Sequence, residues 1–326
     1  MTRYLKKLLL YLLLTFILFT FLIHPNIIIV SVNDSLKVFR NSLFSSLFPF
    51  LILSDILNYY NYFDFLKKIF KFKHSDILLL CAVSGLPSNA KYISNLLEND
   101  EIEKEEAQYL ISCTFFPNPM YVVSVVGLNM LGNKIIGFVF LIIIYLSNII
   151  YFIFNYKKFT NDAKIKASKK QSFFHMIKNS IINNIEILLI ILGTLVIFNI
   201  SLNILKYYTN INIILLSLFN LFLEMTSGIN KISQLSLNIS LKCILVCTSL
   251  TFSGISVISQ VISIISKYNL NIKFIIKQKI VITIISILLS SIYFLLISSI
   301  WYALSFHWLI VILYIVVNSS YLILKL

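Results

Sequence analysis

Long apolar runs separated by short polar or basic connectors fill most of this chain. Eight of them, at about 5–32, 38–60, 107–131, 135–155, 180–208, 240–265, 280–301 and 305–324, are long enough to cross a bilayer as helices, since a hydrocarbon core of about 30 Å needs about 20 residues. Two more stretches, 77–97 and 213–237, are apolar at their ends and polar in the middle. The first holds Ser84-Gly85-Leu86-Pro87-Ser88-Asn89-Ala90-Lys91, the second Glu224-Met225-Thr226-Ser227-Gly228-Ile229-Asn230-Lys231. Lipid offers no hydrogen bonds to an interrupted backbone, so such stretches persist only where they line a cavity or pack inside protein.

The basic connectors predict how these stretches lie. Short Lys/Arg-rich loops stay cytoplasmic. The N-terminus carries Arg3, Lys6 and Lys7. Segment 61–75 carries four lysines, 156–172 six, and 266–279 four (Lys267, Lys273, Lys277 and Lys279). With all of these on one side, 77–97 must dip in and turn back. The stretch 213–237 must do the same from the opposite side. The expectation is an all-α polytopic membrane protein: about eight transmembrane helices plus two re-entrant hairpins in an inverted repeat. It forms one membrane domain, 1–326, with repeats over 38–155 and 173–301 and both termini cytoplasmic. Paired interrupted segments of this kind mark the binding site of alternating-access carriers. The N-terminal run continues past His24-Pro25 without a small-residue cleavage site, which reads as a retained signal-anchor. Phe63–Phe72 alternates aromatics with lysines and reads as an amphipathic surface helix, and 173–182 reads the same way.

Composition agrees and removes other classes. The chain has 326 residues, is 59% hydrophobic and only 12% charged, with a mean hydropathy of +0.90. The net charge of +14 sits in the connectors, where it faces anionic lipid rather than nucleic acid. Cys81, Cys113, Cys243 and Cys247 read as small packing residues. His24, His74, His175 and His307 lack metal-ligand spacing. No catalytic constellation is visible, so neither an enzyme nor a cofactor or metal is expected.

The halves resemble each other. Each Ser-Gly pair is followed, inside the next span, by a Thr-Phe pair and a helix disruptor: Thr114-Phe115 with Pro117-Asn118-Pro119, and Thr251-Phe252 with Ser253-Gly254. Proline removes a helical hydrogen bond and frees a carbonyl. Helical spacing puts Thr114, Asn118 and Tyr121 on one face, and Ser249, Ser253, Ser256 and Gln260 on another. Such stripes face a bundle interior, either to bond neighbouring helices or to line a wet cavity. Lys91, Glu224 and Lys231 are ionisable groups at membrane depth, which are retained for use or paired. Glu224 with Lys91 or Lys231 is the plain pairing. The sharper alternative is that the lysines, with helix N-termini, hold a carboxylated solute.

Phe48-Pro49-Phe50, the two hairpin motifs, the acidic Glu98–Glu106 run, Asn118-Pro119, Phe252-Ser253-Gly254-Ile255-Ser256 and Gln260-Val261 together resemble the YlbJ-type (SpoVV) sporulation integral membrane proteins, which carry a nucleoside-recognition Gate domain. The resemblance covers nearly the whole chain. Leu86 stands where that family has an aromatic, and Asn89 where it has a second glycine. The resemblance implies a carrier that passes dipicolinate from mother cell toward forespore, in the outer forespore membrane or the bacterial cytoplasmic membrane, with a role in spore cortex formation. The expected substrate-binding residues are Ser84, Gly85, Asn89, Lys91, Asn118, Ser227, Gly228, Asn230, Lys231, Ser253, Ser256 and Gln260, with Glu224 as a gate or proton site. Expected partners are a small anionic solute, membrane lipids, and a second copy of the chain or other sporulation membrane proteins. The alternatives are a nucleoside or nucleobase carrier and a non-transport membrane scaffold.

Overall fold

A computed structural model describes residues 2–70, 74–155, 172–209 and 211–297, and every regular element among them is helical. The span expected over 305–324 and the lysines of the 156–172 connector lie outside these residues.

Helix α1 (Thr2–Ile23) ends at His24, and Pro25 opens α2 (Pro25–Val38) at a first-turn position. Proline suits that place because its missing N–H needs no partner there. From α2 the chain passes through a wide π-type turn, Phe39–Phe44, into α3 (Ser45–Tyr59). The result is one apolar helix of 35 residues. The expected spans 5–32 and 38–60 are therefore divided differently: the break falls at His24-Pro25. Nothing between Val32 and Val38 stops a helix, and Ser31 and Ser35 return their hydroxyls to the carbonyls of Ile27 and Ser31.

Helix α9 (Phe173–Tyr208) has 36 residues and runs antiparallel along this rod. Ser180 and Asn184 bond Asp55, Asn199 bonds Ser35, Asn203 bonds Ser31, and Tyr207 lies against His24. Residues 173–182, expected to lie on the surface, form the first turns of α9. At about 1.5 Å per residue each rod is about 50 Å long, more than the ~30 Å of a hydrocarbon core. Leu189, Ile197, Leu215, Phe222, Ile284 and Leu288 project outward, exposed. Four helices are long and apolar enough to span a membrane among the described residues, and the chain is a helical integral membrane protein.

Helix α4 (Phe65–Phe70) is a short piece whose Lys67 reaches Asp64 at 2.8 Å and Asp76 at 2.9 Å. Helix α5 (Ser75–Ser84) starts beside the end of α3, with Asp76 and Leu80 near Leu57 and Asn58. Leu86 then lies near Leu43 and Leu47. Helix α6 (Ser88–Glu98) returns, placing Lys91 and Tyr92 at Asp55. The chain thus doubles back along one half of the α2–α3 rod.

Helices α10 (Ile213–Leu223) and α11 (Met225–Gln234) form a second such pair after the far end of α9. Glu224, between them, also reaches the level of Leu43 and Leu47, while Lys231 feels the charges of Lys206 and Asp34. The two hairpins approach from opposite ends of the rods, and their tips meet near mid-length.

Around them pack α7 (Lys104–Cys113), the π-wound segment Tyr121–Met130, α8 (Lys134–Phe154), α12 (Ile239–Phe252), α13 (Gly254–Ile265) and α14 (Ile272–Ser291). Gly127 and Gly137 allow the π-wound segment and α8 to cross in backbone contact. Helix α14 starts eight residues earlier than the expected 280–301 span. Asn271 caps it, accepting from Phe274 N at 3.1 Å, so Lys273, Lys277 and Lys279 ride on a helix rather than in a connector. All four cysteines are buried free thiols.

Candidate functional site

The first hairpin is closed by its own motif. Helix α5 stops at Gly85, φ +78°, where an added Cβ would lie 2.5 Å from the Asn118 backbone. Only glycine allows both that conformation and that approach. Asn118 Nδ2 donates to the Ser84 carbonyl at 3.1 Å, and its Oδ1 accepts from Tyr121 N at 3.1 Å. Asn89 Nδ2 donates to Thr114 Oγ1 at 3.3 Å, and Ser88 Oγ to Ser84 Oγ at 2.6 Å. These bonds replace the helical partners that the break after Cys113 and the one at Gly85 take away.

The second hairpin reaches a similar end by different means. Glu224 caps α11: its carboxylate accepts from Thr226 N at 3.1 Å and Ser227 N at 2.5 Å. A carboxylate is well placed at a helix N-terminus. Ser227 and Gly228 therefore lie inside the first turn of α11, whereas Ser84 and Gly85 form the break itself. Gly228 instead lets α10 come close, since a Cβ there would sit 2.7 Å from Leu221 Cα. Ser249 Oγ donates to the Leu221 carbonyl at 3.1 Å, as Asn118 does for Ser84. Helix α12 breaks at Ser253 and Gly254, with φ of +72° and +69°, and Gly254 passes within contact of Met225 N.

Between the tips lies a narrow cleft; the empty space around its lining, counted together with the open space at its mouth, is about 510 Å³. Its polar lining is Asn118, Tyr121, Glu224, Thr226 and Gln260. Leu43, Leu47, Ile191 and Leu195, from the middles of the two rods, form an apolar wall. Gln260 Nε2 donates to Thr194 Oγ1 on α9 at 2.7 Å. The cleft thus combines amides, hydroxyls and one carboxylate with apolar walls, a chemistry suited to a small polar solute.

Of the residues expected at the site, Asn118, Glu224 and Gln260 line this cleft. Ser84, Gly85 and Asn89 stand behind it and hold the first tip. Ser253 donates to the Leu250 carbonyl at 3.3 Å. The Ser256 hydroxyl is buried without a hydrogen-bond partner. Asn230 and Lys231 lie farther along α11, outside the lining.

Lys91 is elsewhere. Its ammonium sits 2.9 and 2.7 Å from the two Asp55 oxygens and 3.2 Å from Asn184 Oδ1. Asp55 also accepts from Tyr92, Ser180 and Asn184 at 2.7–3.0 Å. Glu224 lies within salt-bridge distance of neither lysine, although its charge reaches Lys231; its oxygens take the α11 N–H groups. Asp55 is absent from the sequence expectations, although a lone carboxylate inside the apolar run 38–60 is the same signal that singles out Glu224. Lys279 falls in the stretch 266–279, whose four lysines read as a basic connector, and that pattern hides it.

The fold and cleft define a helical integral membrane protein with paired interrupted segments. The chain is similar to the sporulation integral membrane protein YlbJ of Bacillus subtilis (strain 168), 23% identical over 310 aligned positions that cover 79% of this chain and 75% of that protein. No family model and no solved structure matches it.

Proposed function

We propose that this chain is a sporulation membrane carrier that passes dipicolinate, a small aromatic dicarboxylate, from mother cell toward forespore across the outer forespore membrane, and that it is not an enzyme. One observation carries the carrier reading. Two interrupted hairpins and two interrupted helices converge on one cleft halfway along helices of membrane-spanning length. In this reading the hairpins are re-entrant, one from each leaflet, and they alternately open the cleft to either side. The sporulation setting is supported by the similarity to YlbJ, and the choice of dipicolinate rests on the motif resemblance.

A second reading, a nucleoside or nucleobase carrier, is favoured by the lining itself. Asn118, Gln260, Tyr121 and Thr226 suit a neutral hydrogen-bonding solute, and among the described residues no lysine lines the cleft. Purified protein in liposomes, loaded with unlabelled dipicolinate and given labelled dipicolinate outside, decides between them. Counterflow that excess uridine leaves intact supports the first reading. Counterflow of labelled uridine alone supports the second, and no exchange of either solute removes the carrier reading.

A further inference from the structure

Among the described residues, Lys279 is a buried amine with no counter-charge. It is 1% exposed, and its ammonium lies 3.4 Å from the Phe115 carbonyl and 4.4 Å from the centre of the Phe115 ring. That carbonyl is orphaned by the sequence. Even if the helix ran on through the break, its partner would be Pro119, which has no N–H. Lys279 supplies the missing donor from across the interface. Helix α14 packs on α7, α8 and α12 and continues into Ile292–Ile297, which carries Tyr293. The titratable groups on those three helices are Lys104, Glu105, Glu106, Tyr109 and Cys113; Lys134, Tyr145 and Tyr151; and Lys242, Cys243 and Cys247. None of them bonds or pairs with the Lys279 amine, and neither do Lys273 and Lys277 on α14 itself.

An ionisable group inside a membrane bundle is a functional-site candidate by default. The position of this one is specific. The segment it holds, Phe115–Asn118, presents Phe115 to Lys279 on its back and Pro117 and Asn118 to the cleft on its front. We propose that Lys279 is the proton-coupling site of the carrier. Its ammonium releases a proton to water and becomes an amine, or the amine takes one up, and the change alters its hold on the segment that forms one wall of the solute cleft. A cation without a carboxylate partner has its charge uncompensated at this site, so the two forms favour different positions of the break. The inference rests on the carrier reading.

The test uses full-length protein in liposomes and two variants. Lys279→Gln keeps a donor for the Phe115 carbonyl and cannot titrate; Lys279→Arg stays charged. Labelled dipicolinate or uridine is used, whichever the wild type exchanges. The expected result is that both variants retain counterflow, which also shows that they fold, while accumulation driven by a pH gradient falls to the level of protein-free liposomes. Gradient-driven accumulation surviving in Lys279→Gln overturns the proposal and leaves the lysine a structural cap. Wild-type protein that exchanges solute but ignores a pH gradient overturns it as well. Wild-type protein that exchanges nothing removes the carrier reading, and the proton site with it.

Discussion

Lys91 Nζ lies 2.7 Å from Asp55 Oδ2, and this ion pair joins the first hairpin to the α3–α9 scaffold. Both side chains are mostly buried, 17% and 11% exposed, and Asn184, Ser180 and Tyr92 complete the network. Removing one partner leaves the other charge buried and alone. Lys91→Ala and Asp55→Ala should each lower stability by about 3–5 kcal/mol, whereas Asp55→Leu with Lys91→Met should lose much less than the two single changes together. Thermal unfolding of detergent-purified protein reads this. Strictly additive effects would show that the pair does not act as a unit.

What the sequence could reveal followed from cost. Polar residues within apolar runs are expensive in lipid, so the interrupted segments around Gly85 and Glu224 and the interrupted spans around Asn118 and Ser253 stand out from the apolar pattern. Partners were another matter. Asp55 and Lys91 are far apart in sequence, and no local pattern says that α6 returns to α3. The match of Ser84-Gly85 with Ser227-Gly228 was misleading because Glu224 takes over the break in the second hairpin, moving the Ser-Gly pair into a helix. Lys279 was hidden by its basic neighbours, although Asn271 offers the capping signal that starts α14 before it. His24-Pro25 carried the true boundary of the first span, but hydropathy alone runs straight through it.

Three glycines separate conformation from packing. Gly85→Ala should prevent folding of the first hairpin, because it adds a Cβ 2.5 Å from the Asn118 backbone at a positive φ. Gly228→Ala should force α11 away from α10, since the new Cβ would lie 2.7 Å from Leu221 Cα. Gly193, in the middle of α9, has nothing within 4 Å of its Cβ position, so Gly193→Ala should raise stability by up to about 1 kcal/mol through helix propensity. Monodisperse yield on size exclusion and melting temperature rank the three. Normal yield from Gly85→Ala contradicts the close approach.

Asn118 both closes the first hairpin and faces the cleft. Asn118→Ala leaves the Ser84 carbonyl and Tyr121 N–H without their partner, at a cost of about 1–3 kcal/mol for a buried unsatisfied group. Gln260→Ala removes only one bond, to Thr194, and should cost about 1 kcal/mol. Solute exchange should fall in both, but the melting temperature should fall clearly only in Asn118→Ala. Equal melting losses would mean that Gln260 is a structural stitch.

At the end of α6, Glu98 pairs with Lys267, and Tyr268 donates to the same Glu98 oxygen at 2.8 Å. The Lys267 hydrogen bond, helped by Tyr268, holds the Glu98 carboxyl below its ordinary 4.5. The Glu98 hydrogen bond, in turn, pushes Lys267 above its ordinary 10.5. The signs follow. Glu98 favours the folded contact above its ordinary value and loses that effect as pH falls through the lowered one. Lys267 favours it below 10.5 and loses the effect as pH rises through the raised one. The tether is therefore whole across neutral pH and opens only in acid or strong alkali. Both groups are exposed, so the global melting temperature should hardly move in Glu98→Gln. Relative to the intrinsic exchange rate at each pH, amides at the end of α6 should lose protection in that variant at pH 7, and in the wild type only in acid or strong alkali. Unchanged exchange in Glu98→Gln would show that the pair does not restrain this end of the hairpin.

The re-entrant reading makes a demand on sidedness that can be tested without any solute. If α5 and α6 enter and leave by one leaflet, residues before and after them face the same compartment. Single cysteines at Asn61 and at Asp100, both at connectors with positive φ, should then react with a membrane-impermeant maleimide from the same side of sealed vesicles. A cysteine at Asn238, just before α12, should react from the other side, because α9 crosses once and the second hairpin returns to the face it came from. The native thiols, all buried, should contribute little background. Labelling of positions 61 and 100 from opposite sides would make α5–α6 an ordinary, kinked span. The hairpin tips could then no longer meet from two leaflets, and the alternating cleft would lose its geometry.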